Sequence, residues 1–527
     1  MGIYLNPGNE SFQRALRSRI YVDKTELISY TNSVLGTEQA NICVSRPRRF
    51  GKSMAANMLA AYYSRGCKSC EIFENLAIYK DRSFKQHLNR YDVIFINVQQ
   101  FMRGAGKPEN LIRYMESEIV SEIKVEYNNI IDRQETRLPD ILTKIFVKDT
   151  RQNKGFIFIL DEWDCIFREE KNNIQVQKEY LNFLQDLFKD RAYVQMAYMT
   201  GILPIKKYGT HSALNIFKEF SMTNPKGLAK FVGFTEEEVV RLCDEFDMDF
   251  REAQKWYDGY KFKKAAHVYN PKSIVDAMLE EEYKNYWTST ETYEALQIYI
   301  DLNMDGLREA IVSMIGGGKC LIDTESFQND MTTFKSKDDV LTLLVHLGYL
   351  AYDDISKMVF IPNEEVREEF IRAVKNGNRP ELVKAIQTSD KILKATLNMD
   401  SNEVAELIEE IHSSNTSPDF YNNEQDLRSV IKLAYYSSKD DYFTIQELPT
   451  GKGYADIVFL PRRNSDKPAM IVELKWDKSV SGAISQIKEK KYVEALKNYG
   501  GAILLVGINY SVKTKKHQCV IEKYEIL

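Results

Sequence analysis

The sequence has no apolar run long enough to cross a bilayer. Its longest, "VLTLLVHLGYLAY" at 340–352, holds a histidine and falls short of the about 20 residues a spanning helix needs. The opening "MGIYLNPGNESF" lacks the basic-then-apolar layout of a secretory signal. Cysteines are few and scattered: seven, with Cys67 and Cys70 forming a single C-x-x-C and no second pair at zinc-ligand spacing. That excludes a disulfide-stapled scaffold and leaves reduced cytosolic thiols as the expectation. The six histidines form no H-x-x-x-H or H-E-x-x-H, which excludes a zincin-type helix site. An excess of positive charge is missing too: 71 Lys and Arg stand against 76 Asp and Glu, for a net charge of -5. A protein that coats polyanions wholesale would be basic, so any nucleic-acid contact must come from local patches. Repeats and low-complexity tracts are absent. A soluble cytoplasmic protein without a membrane partner is expected.

What is there is length and pattern. A chain of 527 residues exceeds a single core, so two to four domains are expected. Up to about residue 235, apolar β-branched runs alternate with helical stretches. The strand candidates are "ANICVS" (40–45), "DVIFINV" (92–98), "GFIFIL" (155–160) and "VQMAYMT" (194–200). Continuous apolar strands separated by helices indicate a parallel sheet covered on both faces. Thr235 and Glu238 then stand at capping-box spacing, and a mostly helical region is expected over 236–395. Within it "KWYDGYKF" (255–262) and "VYNPKSI" (268–274) read as aromatic, turn-containing connectors. From 396 to 527 helical stretches precede the strands "YFTIQEL", "YADIVFL", "AMIVELK" and "AILLVGI", with a helix at 482–497 between the last two. This is a second, smaller α/β unit.

Two constellations carry chemistry. The first is "VSRPRRFGKSM" (44–54). Gly51, Lys52 and Ser53 end a phosphate-binding loop set between a strand and a helix, but Arg46 stands where the G-x-x-x-x-G-K-[ST] pattern has its first glycine. Backbone N–H groups and the helix N-terminus would cradle phosphates. Lys52 would reach the β- and γ-phosphates of ATP, and the Ser53 hydroxyl would ligate Mg²⁺. The partner element is "FIFILDEWD": Asp161 would hold the Mg²⁺ shell and Glu162 would polarise the attacking water. Thr200 ends the next strand, where it could sense the γ-phosphate. Arg46, Arg48 and Arg49 can fork onto phosphate oxygens or brace the loop against an acid such as Asp164. The plainer reading is a helix start, a basic turn and an acidic turn.

The second constellation is "GYADIVFLPRRNSDKPAMIVELKWD" (453–477). Glu473 and Lys475, two apart in a strand, share one face. If their strand forms a hairpin with the preceding one, Asp456 joins them. Two carboxylates and a lysine suit Mg²⁺, or Mn²⁺, held by oxygen ligands beside a phosphodiester. An amphipathic hairpin with a Glu–Lys pair is the alternative reading. Downstream lie Gln486 and Tyr492, and upstream Glu424 opens a helix. Basic stretches at 461–467, 488–491 and 512–517 suit backbone contacts without sequence readout.

In order, "YVDKTELI", "SRPRRFGKS", "LDEWD", "TGI", "WYDGYKF", "VYNP" and "YWTST" resemble the AAA-ATPase-like family over residues 5–290. That resemblance implies a P-loop ATPase core with a helical middle region, for which a winged helix is one option, and it makes the arginine at 46 a family trait. "GILPIKKYGTHSALN" after Thr200 departs from the pattern and leaves the sensor open. Residues 400–510, with Glu424, Asp456, Glu473-x-Lys475, Gln486 and Tyr492, resemble the PD-(D/E)XK nuclease superfamily and its restriction-endonuclease-like fold. The resemblance implies that Asp456 and Glu473 are metal ligands and Lys475 is catalytic. It implies that Gln486, Glu424 and Tyr492 support the site or contact DNA, with nearby Asp426 as an alternative to Glu424. An ATP-dependent nuclease acting on DNA is expected. A nucleotide-switched module that grips DNA or protein without cutting is the competing expectation. By analogy with ATPases completed by a neighbour's arginine, a homo-oligomer is a candidate assembly.

Overall fold

A computed structural model of the chain describes residues 2–524 except 133, 152–153, 209–210, 213, 263–264, 288–292, 303, 305, 377–379, 416–423, 436–437, 439–441, 451–452, 462–466 and 490–501. It divides into two compact units: Met1–Glu291 with Leu321–Val366, and Thr292–Cys320 with Arg367–Leu527. The helical region read as one middle piece is thus shared between them. Among the described residues no helix is long and apolar enough to cross a membrane.

The first unit is built on β1 (Asn41–Ser45), α1 (Lys52–Tyr63), β2 (Asp92–Asn97), α2 (Leu111–Glu126), β3 (Phe156–Asp161), α3 (Ile174–Phe188), β4 (Val194–Gly201) and β5 (Lys218–Phe220). The strands form one parallel sheet in the order β2-β3-β4-β1-β5. All six residues of β3 are buried, as an apolar strand with helices on both faces requires. Parallel register places the carboxyl ends together: Asn97 pairs with Asp161, and Ser45 with Gly201. Ligands of open α/β sheets bind at that edge.

After the sheet come β6 (Phe234–Thr235), α4 (Glu236–Glu245), β7 (Tyr260–Phe262), β8 (Ala265–Tyr269) and α5 (Pro271–Glu280). The expected capping box starts α4: the Glu238 carboxylate accepts from the Thr235 N–H at 2.8 Å. The segments read as connectors instead supply an antiparallel sheet, β6-β8-β7. Strands this short offer no alternation to read. They pack with α4 and α5 around Val239, Tyr257, Tyr269 and Ile274.

The second unit holds α6 (Ser401–Asn415), α7 (Glu424–Ala434), β9 (Tyr442–Thr450), β10 (Gly453–Pro461), β11 (Ala469–Trp476), α8 (Val480–Glu489), β12 (Ile503–Ser511) and β13 (Lys516–Tyr524). The five strands lie in chain order, antiparallel except for the parallel pair β11–β12, which α8 connects. Ile484 and Ile487 of α8 pack on Val458, Ile471 and Leu505. By strand alternation that face of the sheet also carries Asp456, Glu473 and Lys475.

Candidate active sites

At the first site the chain leaves β1 and turns through Arg49 (φ 64°) and Gly51 (φ 89°) into α1. Glycine adopts this left-handed backbone without the strain that a side chain would add. Lys52 is buried, and its ammonium donates back to the Arg46 and Pro47 carbonyls at 3.0 and 2.8 Å. Burial lowers its pKa, opposed by Glu162, Asp164 and Asp161. Ser53 is exposed one residue on.

The acids converge from β3. Asp161 is buried at the end of that strand; its Oδ1 accepts from the Thr200 hydroxyl at 2.6 Å and its Oδ2 from the Asn97 amide at 3.2 Å. Glu162 follows in a left-handed backbone (φ 55°) and is paired with Arg168. Burial raises its pKa, with Lys52 pulling the other way. Asp164 is wholly buried: its Oδ2 accepts from the Ile202 and Leu203 N–H groups at 3.1 and 2.8 Å and from Arg168 Nε at 3.0 Å. Gly201 makes room for this arrangement, since a Cβ there would lie 2.6 Å from Asp164 Oδ1. Burial works against the charge of Arg168, yet Asp164 and Glu162 hold its pKa above the ordinary value.

A cavity of about 690 Å³ opens in front of these groups. Arg48, Arg49, Gly51, Lys52, Ser53, Glu162 and Arg168 line it, together with the apolar Ile20, Val22, Phe234 and Val275. A cationic cradle at a helix N-terminus beside apolar walls fits a nucleoside triphosphate. The Ser53 hydroxyl lines the cavity and offers an oxygen donor that its Mg²⁺ would take; Asp161 is not among the lining residues, and both its oxygens accept hydrogen bonds from Thr200 and Asn97. Arg46 is placed elsewhere. It does not line the cavity; it is fully buried, donates from Nη1 to the Ser45 and Phe220 carbonyls at 2.8 and 3.0 Å, and lies over the Phe262 ring. Burial pushes its pKa down to about 10.

At the second site β10 and β11 are antiparallel neighbours with Ile457 opposite Val472, so Asp456 and Glu473 stand side by side. Asp456 Oδ2 accepts from the Leu474 N–H at 2.9 Å, and its Oδ1 is paired with Arg428 of α7. Glu473 is 2% exposed. Its Oε1 accepts from Lys475 Nζ at 3.0 Å and from the Gln486 amide, whose own oxygen accepts from Lys475 at 2.7 Å. Asp456, Glu473, Lys475 and Gln486 are thus brought together. Two nearly buried carboxylates on adjacent strands suit an oxygen-seeking divalent cation. Gly507, opposite Glu473, lets α8 close on the sheet: a Cβ there would lie 3.0 Å from Ala483. Glu424 is the first residue of α7, while Tyr492 and most of the basic stretches at 461–467 and 488–491 lie outside the described residues.

Sequence reasoning missed Asn97, Arg168 and Arg428. Asn97 carried a signal, a polar residue ending an apolar strand. Arg168 stands four residues after Asp164, the spacing of a helical ion pair. Arg428 carried none, because only the fold brings α7 to β10.

Residues 8–211 match the family described as predicted AAA-ATPase, and residues 422–520 match the PD-(D/E)XK nuclease superfamily. An uncharacterized protein in the vnfD 5'region of Azotobacter chroococcum mcd 1 is 22% identical over 518 residues, 93% of each chain. Among solved structures, the Walker-type ATPase PABY2304 of Pyrococcus abyssi aligns over 67% of this chain and 97% of its own, at 14% identity and a TM-score of 0.36. The ORC2 protein of Aeropyrum pernix, solved as ADPNP-ADP complexes, aligns over 69% and 93%, at 11% identity and a TM-score of 0.22. One chain thus carries two separate family matches, to predicted AAA-ATPases over residues 8–211 and to the PD-(D/E)XK nuclease superfamily over residues 422–520.

Proposed function

We propose that this protein is an ATP-dependent nuclease in which the nucleotide state of the first site gates or powers phosphodiester cleavage at the second, with DNA as substrate. The observation that carries the reading is the joint placement of Asp456, Glu473, Lys475 and Gln486 on a chain that also holds the Lys52–Glu162 cavity. At the first site Lys52, Arg48 and Arg49 bind the triphosphate, Ser53 and Asp161 hold Mg²⁺, Glu162 orients the attacking water and Thr200 positions Asp161. At the second, Asp456 and Glu473 hold Mg²⁺ or Mn²⁺, which supplies water activation and charge stabilisation when bound. Lys475 faces the phosphodiester and Gln486 fixes the lysine. Glu424 and Tyr492 support this site in the reading. The three segments 1–235, 236–395 and 396–527 act as ATPase, lid and nuclease. The seven free cysteines suit a cytoplasmic setting, and a homo-oligomer would let one subunit complete another's ATP site.

A second reading, a nucleotide-switched module that grips nucleic acid uncut, is favoured by one contact: Arg428 holds the carboxylate of Asp456, as in a settled ion pair. One assay separates the two. Purified protein is incubated with plasmid and linear DNA and Mg²⁺ or Mn²⁺, with and without ATP. Cleavage that needs metal and responds to ATP is expected. Intact DNA under every condition supports the switch, and undiminished cleavage by the Asp456→Ala/Lys475→Ala double variant sinks the nuclease assignment.

A further inference from the structure

The second unit gathers another set of polar side chains on its opposite face. In β11, Lys475 faces Gln486 of α8, while the next residue, Trp476, lies tilted against Tyr510 with ring centroids 4.9 Å apart. Tyr510 lies in turn against His517 of β13 and His412 of α6, at 4.9 and 5.2 Å. Glu409 and His412 stand three apart on α6, an E-x-x-H spacing that puts both on one helix face. Glu409 Oε2 accepts from the His517 backbone N–H at 3.0 Å and pairs with its Nδ1 at 2.6 Å. The two imidazoles are 5.1 Å apart and nearly perpendicular. One donor atom from each of the three residues lies within 4.8 Å of the other two. His412 and His517 are buried, and Glu409 is the half-exposed member.

We propose that Glu409, His412 and His517 form a binding site for a divalent transition-metal ion, best matched by Zn²⁺, that clamps α6 to the β12–β13 hairpin. Two imidazoles and one carboxylate are a borderline donor set that suits zinc and its neighbours rather than Mg²⁺ or Ca²⁺, which favour oxygen shells. The fourth position falls to water on the exposed side of Glu409. Both imidazoles are buried, and neutral imidazole is the ligating form. The ion would take the place of the Nδ1 proton in the His517–Glu409 contact, and the proton would move to Nε2. The site is separate from the all-oxygen pair Asp456 and Glu473, which sits on the other face.

The test uses the full chain with Asp456→Asn and Glu473→Gln, so that the nuclease carboxylates do not contribute. After chelation and dialysis, Zn²⁺ binding is measured by competition with a chromogenic chelator, with circular dichroism as the folding check. One equivalent held at micromolar or tighter affinity is expected, with at least a tenfold loss in His412→Ala and Glu409→Gln. Stoichiometry and affinity unchanged in folded variants would overturn the proposal. Co²⁺ titration of the chain without substitutions at Glu409, His412 or His517 tests the site even if those variants fail to fold. Visible d–d bands of nitrogen-ligated, low-coordinate Co²⁺ are expected; their absence at one equivalent would also overturn it.

Discussion

Asp164→Ala is the substitution that tests most directly how the ATPase site is held. The carboxylate accepts three hydrogen bonds from groups with no water to turn to: two backbone N–H groups just after β4 and Arg168 Nε. Hydrogen bonds to a charged group contribute about 1.5–3 kcal/mol each, and their low-end sum of about 4.5 kcal/mol matches the roughly 3–5 kcal/mol lost on breaking a buried pair. Glu162 remains to neutralise Arg168, which argues for the lower half of that range. With a urea slope of about 3 kcal/mol/M, the unfolding midpoint of the first unit should fall by about 1–1.3 M. The assay is urea unfolding followed by tryptophan fluorescence, because Trp163 is fully buried beside Asp164. Asp140→Ala, in the exposed Arg137–Asp140 pair, is the control and should leave the midpoint in place. A shift below about 0.3 M, or one equal to the control, would show that Asp164 does not brace the exit of β4.

Three further outcomes follow from the same contacts. Glu162 must be deprotonated to act as a base, and burial has raised its pKa, so ATP turnover should fall on acidification at a higher pH than an ordinary glutamate gives. Arg168 favours the charged form, so Arg168→Met should move that limb to still higher pH; a steady-state ATPase profile in which the limb stays or moves down refutes this. Lys52→Met removes the ammonium from the phosphate cradle and should weaken ATP binding by about 10- to 100-fold, read with a fluorescent ATP analogue. Arg428→Ala frees an oxygen of Asp456 and should lower the Mg²⁺ concentration for half-maximal DNA cleavage several-fold; an unchanged or raised midpoint in a metal titration counts against it.

The parallel sheet was legible because its strands are continuous apolar runs separated by helical stretches, the pattern of a sheet covered on both faces. Lys52, Ser53, Asp161 and Glu162 were singled out by their two motifs, and because the ends of parallel strands meet at one edge, the fold sets both motifs at the same margin of the sheet. Glu473 and Lys475 followed from alternation. Arg46 did not: its place in the motif pointed to phosphate, but burial and two carbonyl acceptors turned the side chain inward. Arg428 and Asp456 are brought together only by the packing of a helix on a strand, and the Glu409–His517 contact joins residues 108 apart. No local rule of spacing reports contacts of that kind. The short strands β7 and β8 were hidden because aromatic residues and turns dominate their composition.

The inward turn of Arg46 has a mechanical consequence. Its guanidinium holds the Phe220 carbonyl at the end of the edge strand β5, and its own carbonyl is an acceptor for Lys52. The sheet margin, the start of the loop and the buried Lys52 ammonium are therefore joined by consecutive hydrogen bonds. A glycine at 46 would have no side chain to reach the Phe220 carbonyl, so it is the arginine that ties the edge strand to the loop. The outermost strand of the sheet is thereby linked, through a single residue, to a side chain that lines the cavity.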